Sequence, residues 1–180
     1  ISARGIADSY KNCIVYNNWE GVQIWQAGAS VGGDSIIFND IIAYNNTNSG
    51  ILAMQNVSYC RFNNFNTFGN KFGIQLRGAV NNFYFKKGMI HNNSVYGVYF
   101  NSYSDYTGFE NIYFKYNLIY NNQLNIYIDY TLNNLVLNNI TFFEENETDI
   151  NINGNVTDVN LTNCIHGTIN GTCNIKSSIN

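Results

Sequence analysis

The sequence predicts an all-β protein wound as a parallel β-helix, and three observations carry that prediction. A nine-residue frame ending in an Asn doublet recurs along the chain. A glycine and then an alternating apolar pair follow most of the doublets. No stretch has the 3.6-residue periodicity of a sizeable helix. Repeats of two to three dozen residues mark stacked architectures in which each unit buries its inner face against its neighbours.

The frame is an aromatic or Leu, two mostly polar residues, three mostly apolar ones, a ring, and the doublet. It runs Tyr10 to Asn18, Phe38 to Asn46, Phe62 to Asn70, Phe85 to Asn93 and Phe114 to Asn122, with a weaker copy from Leu137 and a partial one from Leu161. These starts lie 28, 24, 23, 29, 23 and 24 residues apart. The apolar pairs are Val22/Ile24, Ile51/Ala53, Ile74/Leu76, Val98/Phe100, Ile126/Ile128 and Ile150/Ile152. They follow Gly21, Gly50, Gly73 and Gly97, then Asn125 and Asp149 in the later copies. Each period therefore holds three short strands: one ending at the frame's first ring, one before the doublet and one after the glycine. Six to seven coils at ~4.8 Å each make a rod of about 30 Å. Residues 1–180 read as a single domain, a module of a longer secreted chain, with the repeat degrading over 162–180 into a C-terminal cap.

Composition narrows the function classes. A net charge of -3 with nine basic residues argues against a nucleic-acid-binding surface, and the apolar runs are too short for membrane insertion. Charged residues are only 12% of the chain, whereas Asn occurs 35 times and Lys six. Drift in genome composition would raise Lys together with Asn, so something structural or extracellular selects neutral amides over charged groups. The second doublet member (Asn18, Asn46, Asn70, Asn93, Asn122) is expected at one inward turn position, tolerating left-handed backbone and bonding to the amide one coil away. These five form a predicted structural Asn array.

Segments such as Cys13-Ile-Val-Tyr-Asn-Asn-Trp-Glu-Gly-Val-Gln-Ile24 and Asn117-Leu-Ile-Tyr-Asn-Asn-Gln-Leu-Asn-Ile-Tyr-Ile128 resemble the right-handed, single-stranded parallel β-helix repeat. That repeat occurs in pectate-lyase-like enzymes, NosD-type periplasmic proteins, viral tailspikes and adhesin-like surface proteins. The resemblance implies a fold and leaves the activity open, because the repeat hosts many functions.

Enzymes of that superfamily act on polysaccharides with clustered carboxylates, often with calcium, or with an Arg or Lys base. Here Asp34 and Asp40 flank one first strand, Asp105 and Glu110 lie at a long loop, and Glu144, Glu145, Glu147 and Asp149 form an acidic run read as a solvated turn. Arg77, Lys86, Lys87 and His91 are the basic concentration. These four, with Asp105 and Glu110, are the alternative catalytic set. No metal or cofactor is expected, since no spacing resembles a zinc site.

His91 takes an outward position otherwise filled by Tyr16, Tyr44, Phe68, Tyr120 and Phe143. Such rings either pack on one another, at about 0.5–1.5 kcal/mol per pair, or form a platform for sugars. The long connections Gln26–Ser35 and Asn101–Glu110 leave the same edge of the rod, and extra loop length is where function tends to sit. Trp25, Tyr103 and Tyr106 are the contact candidates there. Cys164 and Cys173 are close enough in sequence for a bridge across the last coil. Cys13 and Cys60 are expected as buried free thiols, too far apart to pair. Eight N-glycosylation sequons begin at Asn45, Asn56, Asn92, Asn139, Asn146, Asn155, Asn160 and Asn170. They mark either a glycoprotein or an incidental product of Asn- and Thr-rich repeats.

These features favour a non-catalytic extracellular β-helix of a cell surface, a virion or a filament, with surface glycans or further copies of itself as partners, joined end to end or laterally. The alternatives are a polysaccharide-active enzyme and a carbohydrate-binding module.

Overall fold

A computed structural model describes residues 1–3, 8–25, 35–102, 108–143, 148–165 and 167–178. All of the strand pairing in it is parallel, and the chain winds as a β-solenoid of about six turns. The third strands, from Ser2–Ala3 and Val22–Trp25 through Ser49–Met54, Phe72–Arg77, Tyr96–Asn101, Leu124–Ile128 and Thr148–Ile152 to Thr168–Asn170, make an eight-stranded sheet. First and second strands together make an eleven-stranded sheet. They are continuous in Ser9–Tyr16, Ile37–Tyr44, Arg61–Phe68 and Val80–His91, and separate in Phe109–Lys115 with Leu118–Tyr120 and in Leu132–Asn138 with Thr141–Phe143. Asp158–Thr162 and Asn174–Ser178 extend the same sheet in register past residue 162.

The register matches the sequence frame. Tyr10, Phe38, Phe62, Phe85, Phe114, Leu137 and Leu161 are successive Cα partners across adjacent coils. The third-strand pairs from Val22/Ile24 to Ile150/Ile152 stack in the same way. These inward positions are the core: Phe38, Phe62, Phe85 and Phe114 are at most 1% exposed, and their rings stack with centroids 4.4, 5.3 and 4.7 Å apart.

The asparagine excess has its explanation in the bends. Of seventeen non-glycine residues with positive φ among the described residues, twelve are Asn. A side chain in left-handed backbone costs roughly 1–2 kcal/mol, and Asn is one of the few types that offset it by local hydrogen bonding. One column of such bends joins first to second strands at Asn12, Asp40, Asn64, Lys87, Tyr116, Asn139 and Asn163. Another joins second to third strands at Asn17, Asn45, Gly69, Asn92 and Asn121. The left-handed residue is thus the first member of each doublet rather than the second. The chain turns there and delivers the next amide inward.

That second amide forms the expected array over four coils. Asn46, Asn70, Asn93 and Asn122 are 1–2% exposed. The Asn46 backbone N–H and Nδ2 both donate to Asn70 Oδ1, at 2.9 and 3.0 Å. Asn70 does the same to Asn93 Oδ1, at 3.2 Å for each. Asn93 donates to Asn122 Oδ1 at 3.1 and 2.9 Å. Asn18 departs from the expectation: it is exposed, its backbone N–H donates to Asn46 Oδ1, and its amide turns back to Tyr16 O. It sits in the first coil, with no described rung beyond it to bond.

Gly50 and Gly73 exist because the array passes beside them. A Cβ on Gly73 would lie 2.7 Å from Asn93 Nδ2, from Gly97 O and from a methyl of Ile90. Past Asn122 the glycine column ends and the array steps sideways: Asn122 Nδ2 donates to Asn125 Oδ1 and Asn125 Nδ2 to Asp149 Oδ1, both at 3.0 Å. Asp149 also accepts the Gly167 N–H. It is therefore a buried rung, 3% exposed, and not the end of a solvated acidic turn as the sequence had indicated.

Candidate functional site

The alternative catalytic residues are distributed over different faces. Arg77 ends a third strand, paired with Met54 and Asn101. Lys86 is exposed on the outer face of a first strand between Asn63 and Lys115, and Lys87 is the bend residue after it. His91 ends the second strand of that coil, while Glu110 lies one coil further on, exposed beside Asn81 and Asn133. Asp105, Tyr103, Tyr106, Asn146 and the run 144–147 fall outside the described residues, as does Asp34. Trp25 is half-buried at the end of its strand, paired with Met54.

Between first- and second-strand faces runs a trough of about 520 Å³, lined by Lys11, Asn39, Asp40, Asn63, Asn64, Lys86 and Lys87. Its amides are already bonded to one another along the rod: Asn63 Nδ2 donates to Asn39 Oδ1 at 3.0 Å, and Asn64 Nδ2 to Asp40 Oδ1 at 2.6 Å. Among the described residues the ion pair is Lys176 with Asp158, at 3.1 Å, so the acid in this trough is held by an amide and not by a lysine.

The outer aromatic row stacks as the repeat requires. Centroids are 5.1 Å apart for Tyr16–Tyr44, Tyr44–Phe68 and Phe68–His91, and 4.8 Å for His91–Tyr120. The interplanar angles are 10°, 4°, 10° and 5°. Rings stacked along the rod cover each other's faces and present their edges outward. A sugar platform needs free faces, so the geometry favours mutual packing. His91 is the one ionisable imidazole in this row. Its Nε2 lies 3.1 Å from Asn66 Oδ1, which fits a neutral ring donating through Nε2, and its Nδ1 is buried. Burial holds its pKa below the usual histidine value.

Asn45, Asn56, Asn92, Asn155 and Asn170 are exposed. Asn160 is half-buried and its Nδ2, the atom that would carry a glycan, donates to Asn134 Oδ1 at 2.9 Å. Asn139 is half-buried as well and donates to Asn138. The bridge expected between Cys164 and Cys173 is not formed: both are free thiols, and Cys164 Sγ donates to Leu137 O at 3.2 Å and Thr162 O at 3.4 Å. Burial pushes both thiols above the ordinary cysteine pKa. Cys60 is buried as expected, but Cys13, inward-facing in the first coil, is only half-covered.

The sequence did not single out Asn117. It is a buried amide beneath a bend, accepting the Gly88 N–H at 2.8 Å and donating to Phe85 O at 2.9 Å. Its position, inward between apolar neighbours after a left-handed residue, was the available signal.

These columns define a parallel β-solenoid with a self-bonded amide core. No protein-family model, curated protein or solved structure matches the chain.

Proposed function

We propose that the chain is a rigid structural module of an extracellular surface, serving a cell envelope, a virion or a filament as a spacer or adhesion element and bearing N-linked glycans. The observation that carries this reading is the continuity of three columns along one axis. The buried amides, the inner rings and the outer rings each stay in register over four or five coils. Chemical side chains are spent on bonding the coils to one another, which stiffens the rod without ion pairs that salt would screen. The dispersal of Arg77, Lys86, Lys87, His91 and Glu110 supports a structural over a catalytic role, because acid–base chemistry needs its groups within hydrogen-bond reach of a common substrate.

The glycan part of the reading is supported by the five exposed sequon asparagines. Asn45, Asn56 and Asn92 lie in left-handed bends, where an attached sugar leaves the sheets intact. The test is intact mass of the protein from its native source, together with immunogold labelling of that source. Hexose increments above the mass of the unmodified polypeptide and label on the outer surface are expected. An unmodified mass with label confined to the cell interior overturns the proposal.

A further inference from the structure

We infer that the outer face of the second strands is a self-association surface that pairs two copies side by side, with their rods antiparallel. Successive coils place on this face Ile14 and Tyr16, Ile42 and Tyr44, Asn66 and Phe68, Met89 and His91, and Leu118 and Tyr120. Their intervening neighbours Ala43, Thr67, Ile90 and Ile119 are fully buried on the inner side. Ile14, Tyr16 and Met89 are 61%, 51% and 41% exposed, and with the half-buried Ile42, Tyr44, Phe68, Leu118 and Tyr120 they make the face mostly apolar over five coils. Ring planes that turn by no more than 10° from coil to coil make the face flat. Most sheets twist by roughly 20–25° per strand, and such twist limits the length over which two faces can stay in contact. Here that limit is absent.

The occupant that fits is another copy of this chain, for two reasons. First, the ridges recur at the coil pitch of ~4.8 Å, and a second copy carries the same spacing along the full face. Second, the face is self-complementary about a two-fold axis that lies along the third coil's strand and reverses the coil order. Under that operation Ile42 meets the partner's Met89, Ile14 the partner's Leu118, and Tyr44 the partner's His91. Asn66 and Phe68 on the axis meet their own copies. Along the border, Asp40 comes opposite the partner's Lys87 and Asn64 opposite itself. A hollow of about 430 Å³ lies at that border, lined by Asp40, Asn64, Lys87 and Met89 among others, and the long Lys87 side chain has room to reach across it. An axis parallel to the rods would instead bring Asp40 and Lys87 against the ring column, where neither charge has a partner.

Isologous closure of this kind gives a dimer and not a fibre. Five strands by three or four residues bury on the order of 300 Å² per copy, below the roughly 800 Å² of a standard interface, so the pairing is a weak one that needs high protein concentration. Asn45 and Asn92 occupy the opposite rim from the charges, where the axis sets one opposite the other, so the pairing is that of chains without glycans at these two positions.

The experiment is sedimentation equilibrium of the chain between roughly 1 and 200 µM, a span that reaches the high concentration a weak dimer needs, with folding of each variant checked by circular dichroism. A dimer is expected, abolished by Met89→Glu. Asp40→Lys alone or Lys87→Asp alone sets like charges opposite each other and should weaken it roughly tenfold. Combining them restores opposite charges, and affinity should return to within about threefold of the original. Asn66→Cys places a thiol on the axis, so mild oxidation should yield a covalent dimer well above the level given by the four native cysteines. A monomer throughout the concentration range overturns the inference. So does a dimer insensitive to Met89→Glu, a double exchange no tighter than the singles, or an Asn66→Cys chain that cross-links no better than the parent.

Discussion

Replacing Asn70 by Ala tests whether the buried amides hold the coils together. Asn70 Oδ1 accepts two donors from Asn46, the backbone N–H at 2.9 Å and Nδ2 at 3.0 Å. Its Nδ2 is shared among Ala43 O, Thr67 Oγ1 and Asn93 Oδ1 at 3.0–3.2 Å. Truncation leaves both Asn46 donors without an acceptor in a site about 2% exposed. Each orphaned buried donor costs about 1–3 kcal/mol, and local relaxation recovers part of that. The expected loss is therefore about 3–5 kcal/mol, a large fraction of the stability of a domain this size. Asn63→Ala is the internal reference. It removes one amide from the same coil, where Asn63 Nδ2 bonds Asn39 Oδ1 in a half-buried outer position that water can re-solvate. Its cost should stay below about 1 kcal/mol. The assay is equilibrium urea unfolding followed by both far-ultraviolet circular dichroism and tyrosine fluorescence. Coincident curves are needed because stacked repeats can lose end coils separately. A shifted midpoint at constant slope reports stability. A loss for Asn70→Ala no larger than for Asn63→Ala would refute the view that the inner array dominates cohesion.

Three further outcomes follow from the same columns. Gly73→Ala should cost about 3 kcal/mol or prevent soluble expression, since its Cβ meets Asn93 Nδ2 and Gly97 O at 2.7 Å and neither can move without breaking the array; thermal melting reads it. Tyr116→Asn should raise stability by up to about 1 kcal/mol, because the half-exposed tyrosine holds φ at 57° where most other bends use Asn; the urea midpoint should move upward. His91 titrates below its ordinary value through burial, so the unfolded chain binds the proton more readily than the folded one. Stability is then complete above the unfolded histidine pKa of about 6.5 and falls as pH drops through that value toward the folded one. His91→Tyr, which restores the ring type of neighbouring coils, should flatten the melting temperature between pH 7.5 and 5; an unchanged slope would place the pH dependence elsewhere.

Much of the architecture was legible because a solenoid repeats its demands. One inward ring or leucine every two dozen residues is visible from Tyr10 to Leu161 without coordinates, and each start proved to be the Cα partner of the next. The outer row from Tyr16 to Tyr120 was legible for the same reason. The candidate site was harder to read. Arg77, Lys86, Lys87 and His91 lie within fifteen residues in the chain, yet a coil sends adjacent segments to different faces. Proximity in sequence carries little information about proximity on such a rod.

Periodicity alone therefore determined the class of fold, the pitch and the identity of the inward positions, because a repeated pattern has only one way to bury every copy. Which member of each Asn doublet bends the backbone and which bonds inward was decided by tertiary structure. So were the sidestep of the array through Asn125 to Asp149, the free state of Cys164 and Cys173, and the meeting of Asp40, Lys87, Ile42 and Met89 around one hollow. Most of these depend on contacts between coils, where partners more than twenty residues apart choose among conformations that a local sequence leaves nearly equal in energy.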